Sequence, residues 1–90
     1  MSDVFKALAH PARRRLLEVL KAGPKSAGEI SEVMTLSKPT LSGHFAKLKA
    51  ADLINAEPDG TTIYYTLNVS VLREAMLDFM DTMGLAGRIG

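Results

Sequence analysis

Apolar residues recur at helical intervals through the first half of the 90-residue chain. Val4, Phe5 and Leu8 mark a short helix over Val4 to Ala9. Pro11 stops one helix and opens the next, because its missing N–H costs nothing in a first turn. From Pro11 to Ala22, Leu16, Leu17 and Leu20 form a stripe with Val19 beside it, and Gly23-Pro24 ends the helix. Ser26-Ala27-Gly28-Glu29 reads as a capping box, in which the Ser26 oxygen takes the Glu29 N–H and the Glu29 carboxylate returns to the Ser26 N–H. The helix it starts, with Ile30, Val33 and Met34, is short. Ser37 caps the next one, Pro39 fits its first turn, and Leu41, Phe45 and Leu48 carry it to about Ala51.

The pattern then changes. Leu53 to Glu57 and Thr61 to Leu67 read as two strands around the turn cluster Pro58-Asp59-Gly60, giving a hairpin over about 53–67. Asn68 or Ser70 caps a last helix within about 69–83, and Gly84 ends it. The chain therefore predicts a mainly α domain with a small β-hairpin, in the order α-α-α-α-β-β-α. A short helix followed closely by a second is a helix-turn-helix, and a hairpin behind it is a wing. Residues 1–90 are read as a single domain.

Charge adds a direction. Residues 1–50 carry nine Lys and Arg against four Asp and Glu, a net of +5; residues 51–90 carry two against six, a net of −4. A basic half hints at nucleic acid; a solvated charged face is the plainer reading. The chain has no cysteine, which removes disulfides, thiolate metal sites and cysteine nucleophiles and fits a reducing cytosol. The apolar runs are too short for a membrane span, and Met1-Ser2-Asp3-Val4 lacks the order of a secretory signal, so no membrane insertion and a cytoplasmic location are expected.

With Leu41 at zero and about 100° per residue, Phe45 and Leu48 fall within about 40° of it, and Pro39, Gly43, Ala46 and Ala50 lie opposite. Thr40 and Lys47 occupy one shoulder, Ser42 and Lys49 the other. Small polar residues let such a helix approach base edges, and flanking lysines suit phosphates. His44 falls at a boundary, where it packs against the preceding helix or reaches a phosphate; metal ligation ranks third. His10 is placed to cap the second helix or its junction. Of Arg13, Arg14 and Arg15, one is expected in an internal ion pair and the others solvated, with a phosphate contact from one of them as the lesser alternative. Gly28 and Gly43 hint at close packing.

Three stretches carry a family likeness: Leu8-Ala9-His10-Pro11-Ala12-Arg13-Arg14-Arg15-Leu16-Leu17; Leu36-Ser37-Lys38-Pro39-Thr40-Leu41-Ser42-Gly43-His44-Phe45 with Leu48 and Leu53; and Gly60 with Tyr64-Tyr65-Thr66-Leu67. In this order they resemble the ArsR/SmtB family of bacterial winged helix-turn-helix repressors, over about residues 4–83. Ser37-Lys38-Pro39 looks most like the metal-independent autorepressor branch. The resemblance implies double-stranded DNA as partner, with contacts at Lys38, Pro39, Thr40, Ser42 and Gly43. Ser37, His44, Lys47, Thr61 and Thr62 complete the expected DNA-binding set. Pro39 and Gly43 stand where relatives often carry a hydrogen-bonding side chain, which shifts weight to DNA shape. The wing tip Glu57-Pro58-Asp59-Gly60 is acidic where relatives usually carry Arg or Lys, so a weak wing contribution is expected.

Family metal sites use paired Cys in the short helix, where this chain has Ser26, Gly28 and Ser31, or Asp and His along the last helix, where it has Val69, Val71, Thr82 and Leu85. None is a good ligand for a soft or borderline metal, so no metal and no cofactor is expected. Asp78 and Asp81 read as a solvated face. No Ser-His-acid set or phosphate loop stands out, so an enzyme is not expected. Leu72, Ala75, Met76, Phe79, Met80 and Met83 make the last helix apolar over more than one face. Family dimers pair the first and last helices, so Val4, Phe5, Leu8, Leu72, Met76, Phe79, Met80 and Met83 are the expected homodimer interface. The Met cluster also suits a regulatory protein or lipophilic partner. A winged-helix protein-interaction module without specific DNA binding is the alternative, kept open by the acidic wing, Pro39 and Gly43.

Overall fold

A computed structural model describes residues 2–85. Five helices and three strands follow in the order α1 (Ser2–Leu8), α2 (Pro11–Lys21), β1 (Lys25–Ser26), α3 (Ala27–Met34), α4 (Lys38–Ala50), β2 (Ile54–Asp59), β3 (Thr62–Leu67) and α5 (Val69–Thr82). The helices begin where local chemistry starts them. His10 Nδ1 accepts the Ala12 N–H at 3.0 Å, which satisfies an otherwise orphaned donor at the start of α2. Both bonds of the Ser26–Glu29 capping box are present, at 2.9 and 3.2 Å. Asn68, rather than Ser70, caps α5 through Val71 N at 3.3 Å. Gly84, at φ 76, ends α5 in a conformation glycine adopts without steric cost.

The wing is larger than a hairpin. β2 and β3 pair antiparallel from Ile54↔Leu67 to Asp59↔Thr62, with Gly60 at φ 65 in the turn. β1 adds a third strand on the other side of β3, through Lys25↔Tyr65 and Ser26↔Tyr64, in the order β1-β3-β2. Two residues show no alternation, so β1 is invisible to periodicity and forms only because β3 offers an edge. Pro58 sits in β2, an edge strand, where its missing N–H breaks no central ladder.

The core gathers one face from each helix. Leu16, Ile30, Leu41, Leu48 and Leu53 are essentially fully buried, with Leu20, Phe45, Ile54 and Ala75 around them. Phe45 of α4 stacks on Tyr65 of β3 at 4.2 Å between ring centroids, which fixes the wing against α4. Ala75 is the buried residue of α5, and Val71, Leu72 and Met76 pack on the core beside it. No helix among the described residues is long and apolar enough to cross a membrane.

Several expectations are corrected. Val4 is buried in the core, so it is not available to a second subunit. Of the three arginines, Arg15 pairs with Glu18 at 3.4 Å on the surface, while Arg14 is exposed and Arg13 half-buried. Arg13 and Arg14 reach back to carbonyls at the carboxyl end of α1, where donors complement the helix dipole. Gly28 and Gly43 mark no close packing. A Cβ at Gly43 would meet nothing within 4 Å, and one at Gly28 only Ser26 Oγ at 3.9 Å.

Candidate nucleic-acid interface

Ser37 starts α4. Its Oγ accepts the Thr40 N–H at 3.4 Å and donates to Thr40 Oγ1 at 3.0 Å. Pro39 follows in the first turn, pre-set for helix. With Leu41, Phe45 and Leu48 turned into the core, Ser37, Lys38, Pro39, Thr40, Ser42, Gly43 and Lys47 are all exposed. The outer surface of α4 is thus a strip of small and hydroxyl side chains between lysines, open over Gly43.

Two clefts flank that strip. On the wing side, Lys38 and Ser42 face Tyr65 across a cleft that also involves Ala27, Leu41 and Phe45. On the α1 side, Lys47 shares a cleft with Lys6, Arg13 and Asp3. With Arg13 committed to the α1 carbonyls, Lys6 and Lys47 are the cations left to a phosphate strand running beside the helix, against the one carboxylate of Asp3. Lys6 and Tyr65 escaped sequence reasoning because they come from other elements. Their signal, the position of α4 among its neighbours, is tertiary. Thr61 is exposed in the wing turn and Thr62 half-buried beside it.

His44 is the exception among the expected contacts. It is buried, at 9% exposure, and points away from the strip. It packs, though on the α1–α2 junction: the His10 ring meets it edge-on at 4.7 Å, and an Arg13 terminal nitrogen lies 3.5 Å from its Nδ1. Burial first, then the neighbouring His10 and Arg13, holds its imidazole below the ordinary pKa. Glu29 is also held low, because its carboxylate accepts from the Ser26 N–H and hydroxyl at the cap.

Elsewhere, α5 exposes apolar surface. Phe79 is 50% exposed and Met83 59% exposed, while Phe5 of α1 lies against Phe79 with centroids 5.4 Å apart. Leu8, Leu72 and Met76 are half-buried and pack on the core; Met80 is half-buried. Leu77 and Leu85, outside the expected set, are each 46% exposed. Among the described residues, no three His, Cys, Asp or Glu side chains come together as a metal-binding group.

The helix-turn-helix domain family matches residues 8–57, the stretch from α2 through α4 into the wing. The transcriptional repressor SdpR of Bacillus subtilis is 43% identical over 84 residues, covering 90% of this chain and 93% of that protein. The chain belongs to the ArsR/SmtB family. Another relative, the arsenical resistance operon repressor of Staphylococcus aureus, is 32% identical over 80% of this chain and 69% of its own. The crystal structure of NolR from Sinorhizobium fredii superimposes with a TM-score of 0.73 at 29% identity, covering 94% of this chain and 85% of that one. The ArsR/SmtB chain described here is accordingly a DNA-binding transcriptional regulator and not an enzyme.

Proposed function

We propose that this ArsR/SmtB regulator is a cytoplasmic homodimeric repressor that reads an inverted-repeat operator without a metal sensor. The observation that carries the reading is the exposed strip of α4, with Lys38, Thr40, Ser42 and Gly43 free of protein packing above a buried Leu41-Phe45-Leu48 face. A twofold dimer would place two such helices in successive major grooves about 34 Å apart. Exposed Phe79 and Met83 on α5, with Phe5 beside them, supply apolar surface for that dimer. Lys38 and Ser42 on one shoulder, and Lys47 with Lys6 on the other, serve phosphates and base edges on the two sides of the helix. The acidic residues Glu57 and Asp59, exposed on β2, oppose a strong wing contact with the DNA backbone.

Metal independence is supported by the absence of cysteine and by Val69, Val71 and Thr82 on α5. Footprinting on the DNA upstream of its own gene tests the whole reading. A protected inverted repeat, with affinity falling steeply with salt, is the expected result. Binding that ignores salt and sequence would instead mark a protein-interaction module. Zinc titrated into the complex should leave affinity unchanged; a chelator-reversible tenfold loss would refute metal independence.

A further inference from the structure

Arg13 lies on neither the proposed reading strip nor the proposed dimer face, yet its guanidinium reaches toward both. Nε donates to Ala7 O at 2.7 Å, and one terminal nitrogen donates to Lys6 O at 3.2 Å. Those carbonyls close the carboxyl end of α1. The other terminal nitrogen lies 3.5 Å from His44 Nδ1 on α4. All three nitrogens of the planar fork are thus directed at protein atoms, an arrangement a lysine ammonium cannot reproduce.

The helix that Arg13 holds needs holding. α1 has seven residues, too few to keep its form in water by itself. It carries Phe5, which lies against Phe79 of α5. Arg13 therefore connects the Phe5 helix to the helix that carries Lys38, Thr40 and Ser42.

We propose that Arg13 is a positioning residue for sequence reading: by holding the α1 carbonyls while donating to unprotonated His44 Nδ1, it sets the pose of α4 relative to α1. The inference rests on the dimeric DNA-reading function proposed above. Both α4 helices of a dimer must arrive in register on an inverted repeat, so a loose joint costs specific binding. Random DNA asks only for phosphate contacts and is indifferent to that register.

The joint requires a neutral His44. A proton on Nδ1 replaces the acceptor with a donor and sets an imidazolium against the guanidinium. The groups around His44 do not offset that charge. Arg13 faces it from α2 and His10 from the α1–α2 junction. Lys6 and Asp3 of α1 and Lys47 of α4 line the adjoining cleft. Of the other elements packed on α4, α3 turns Glu29 to its own cap and Glu32 to a groove with Lys25, and β2 places Glu57 and Asp59 beside Pro24 and Tyr64. Among the described residues no carboxylate pairs with His44 or Arg13.

The test uses a duplex selected from a random pool by the wild-type protein, against a scrambled duplex of the same length. Arg13→Lys keeps the charge and loses the fork. Its affinity for the selected duplex should fall about tenfold, with scrambled-duplex affinity and oligomeric state unchanged. From about pH 7.5 to about pH 5, across the imidazole range, the wild type should lose selectivity while Arg13→Lys stays flat. His44→Asn, whose side-chain oxygen accepts at every pH, should keep wild-type selectivity without the pH dependence. Should Arg13→Lys fail to fold, His44→Leu decides: with no acceptor it must lose selectivity at every pH where His44→Asn keeps it. Wild-type selectivity and pH profile in Arg13→Lys, or in His44→Leu, would overturn the proposal. If the pool yields no sequence that the wild type prefers, the sequence-reading function fails at that step, before any variant is compared, and the proposal fails with it.

Discussion

Truncating Phe79 tests the proposed dimer and the face on which it forms. Phe79 is 50% exposed in the single chain. An aromatic side chain buries about 150–250 Å², so roughly 100 Å² remains for a partner to cover. At about 25 cal/mol per Å², covering it contributes about 2.5 kcal/mol. A twofold interface uses the same residue from both subunits, so Phe79→Ala should weaken the dimer by about 5 kcal/mol, between three and four powers of ten in Kd. The fold should survive, because within the chain the residue gives up mainly its contact with Phe5 at 5.4 Å. That edge is worth about 1 kcal/mol. Leu77, 46% exposed, is the control. It lies about 160° around α5 from Phe79 at 100° per residue, so Leu77→Ala should leave the dimer intact. Sedimentation equilibrium with circular dichroism separates the outcomes. A folded Phe79→Ala dimer of wild-type affinity, or a dimer broken by Leu77→Ala alone, would refute the assignment of the interface to this face.

Other expectations follow from the same geometry. Ser42→Ala should lower operator binding by roughly 1 kcal/mol or more and leave random DNA nearly untouched, because a hydroxyl reads a base edge. Lys47→Ala should weaken binding to both DNAs and reduce the log–log salt slope by about one per subunit on DNA; a salt series on the two duplexes checks both variants, and an unchanged operator-to-random ratio in Ser42→Ala removes Ser42 from the reading set. Ser26→Ala removes the hydroxyl half of the α3 capping box and should cost about 1 kcal/mol. Thermal melting should show that as a fall of about 4–8 °C, and a melting point within a degree of wild type would show the cap to be idle. For His44 the fold favours the neutral ring, so stability is intact above the ordinary imidazole value of 6.5 and is lost as the pH falls below it, until the folded chain protonates in turn. Melting temperatures at about pH 7.5 and about pH 5 should fall further in wild type than in His44→Asn, and equal falls would mean that His44 is not responsible.

Much of this fold is legible in the sequence because its signals are local. A cap acts over three residues, as Ser26–Glu29, Ser37–Thr40 and Asn68–Val71 show. A helix buries a stripe fixed by its own turn, so Leu41, Phe45 and Leu48 declare the hidden side of α4 and leave Lys38, Ser42 and Gly43 on the other. Sequence therefore determined the order of the five helices and the hairpin, the exposed strip of α4 and, with it, the family. What it did not contain is which neighbour fills each remaining direction. His44 stood at a boundary angle until the α1–α2 junction closed over it. Lys47 became one wall of a basic cleft only when α1 brought Lys6 alongside. Val4 passed from the interface to the core, β1 appeared on the free edge of β3, and Arg13 and Arg14 found the carbonyls of α1. Each of these depends on a second element arriving from elsewhere in the chain. Periodicity states how far a side chain turns from its own helix axis, and only the packing of helices against one another decides what it meets there.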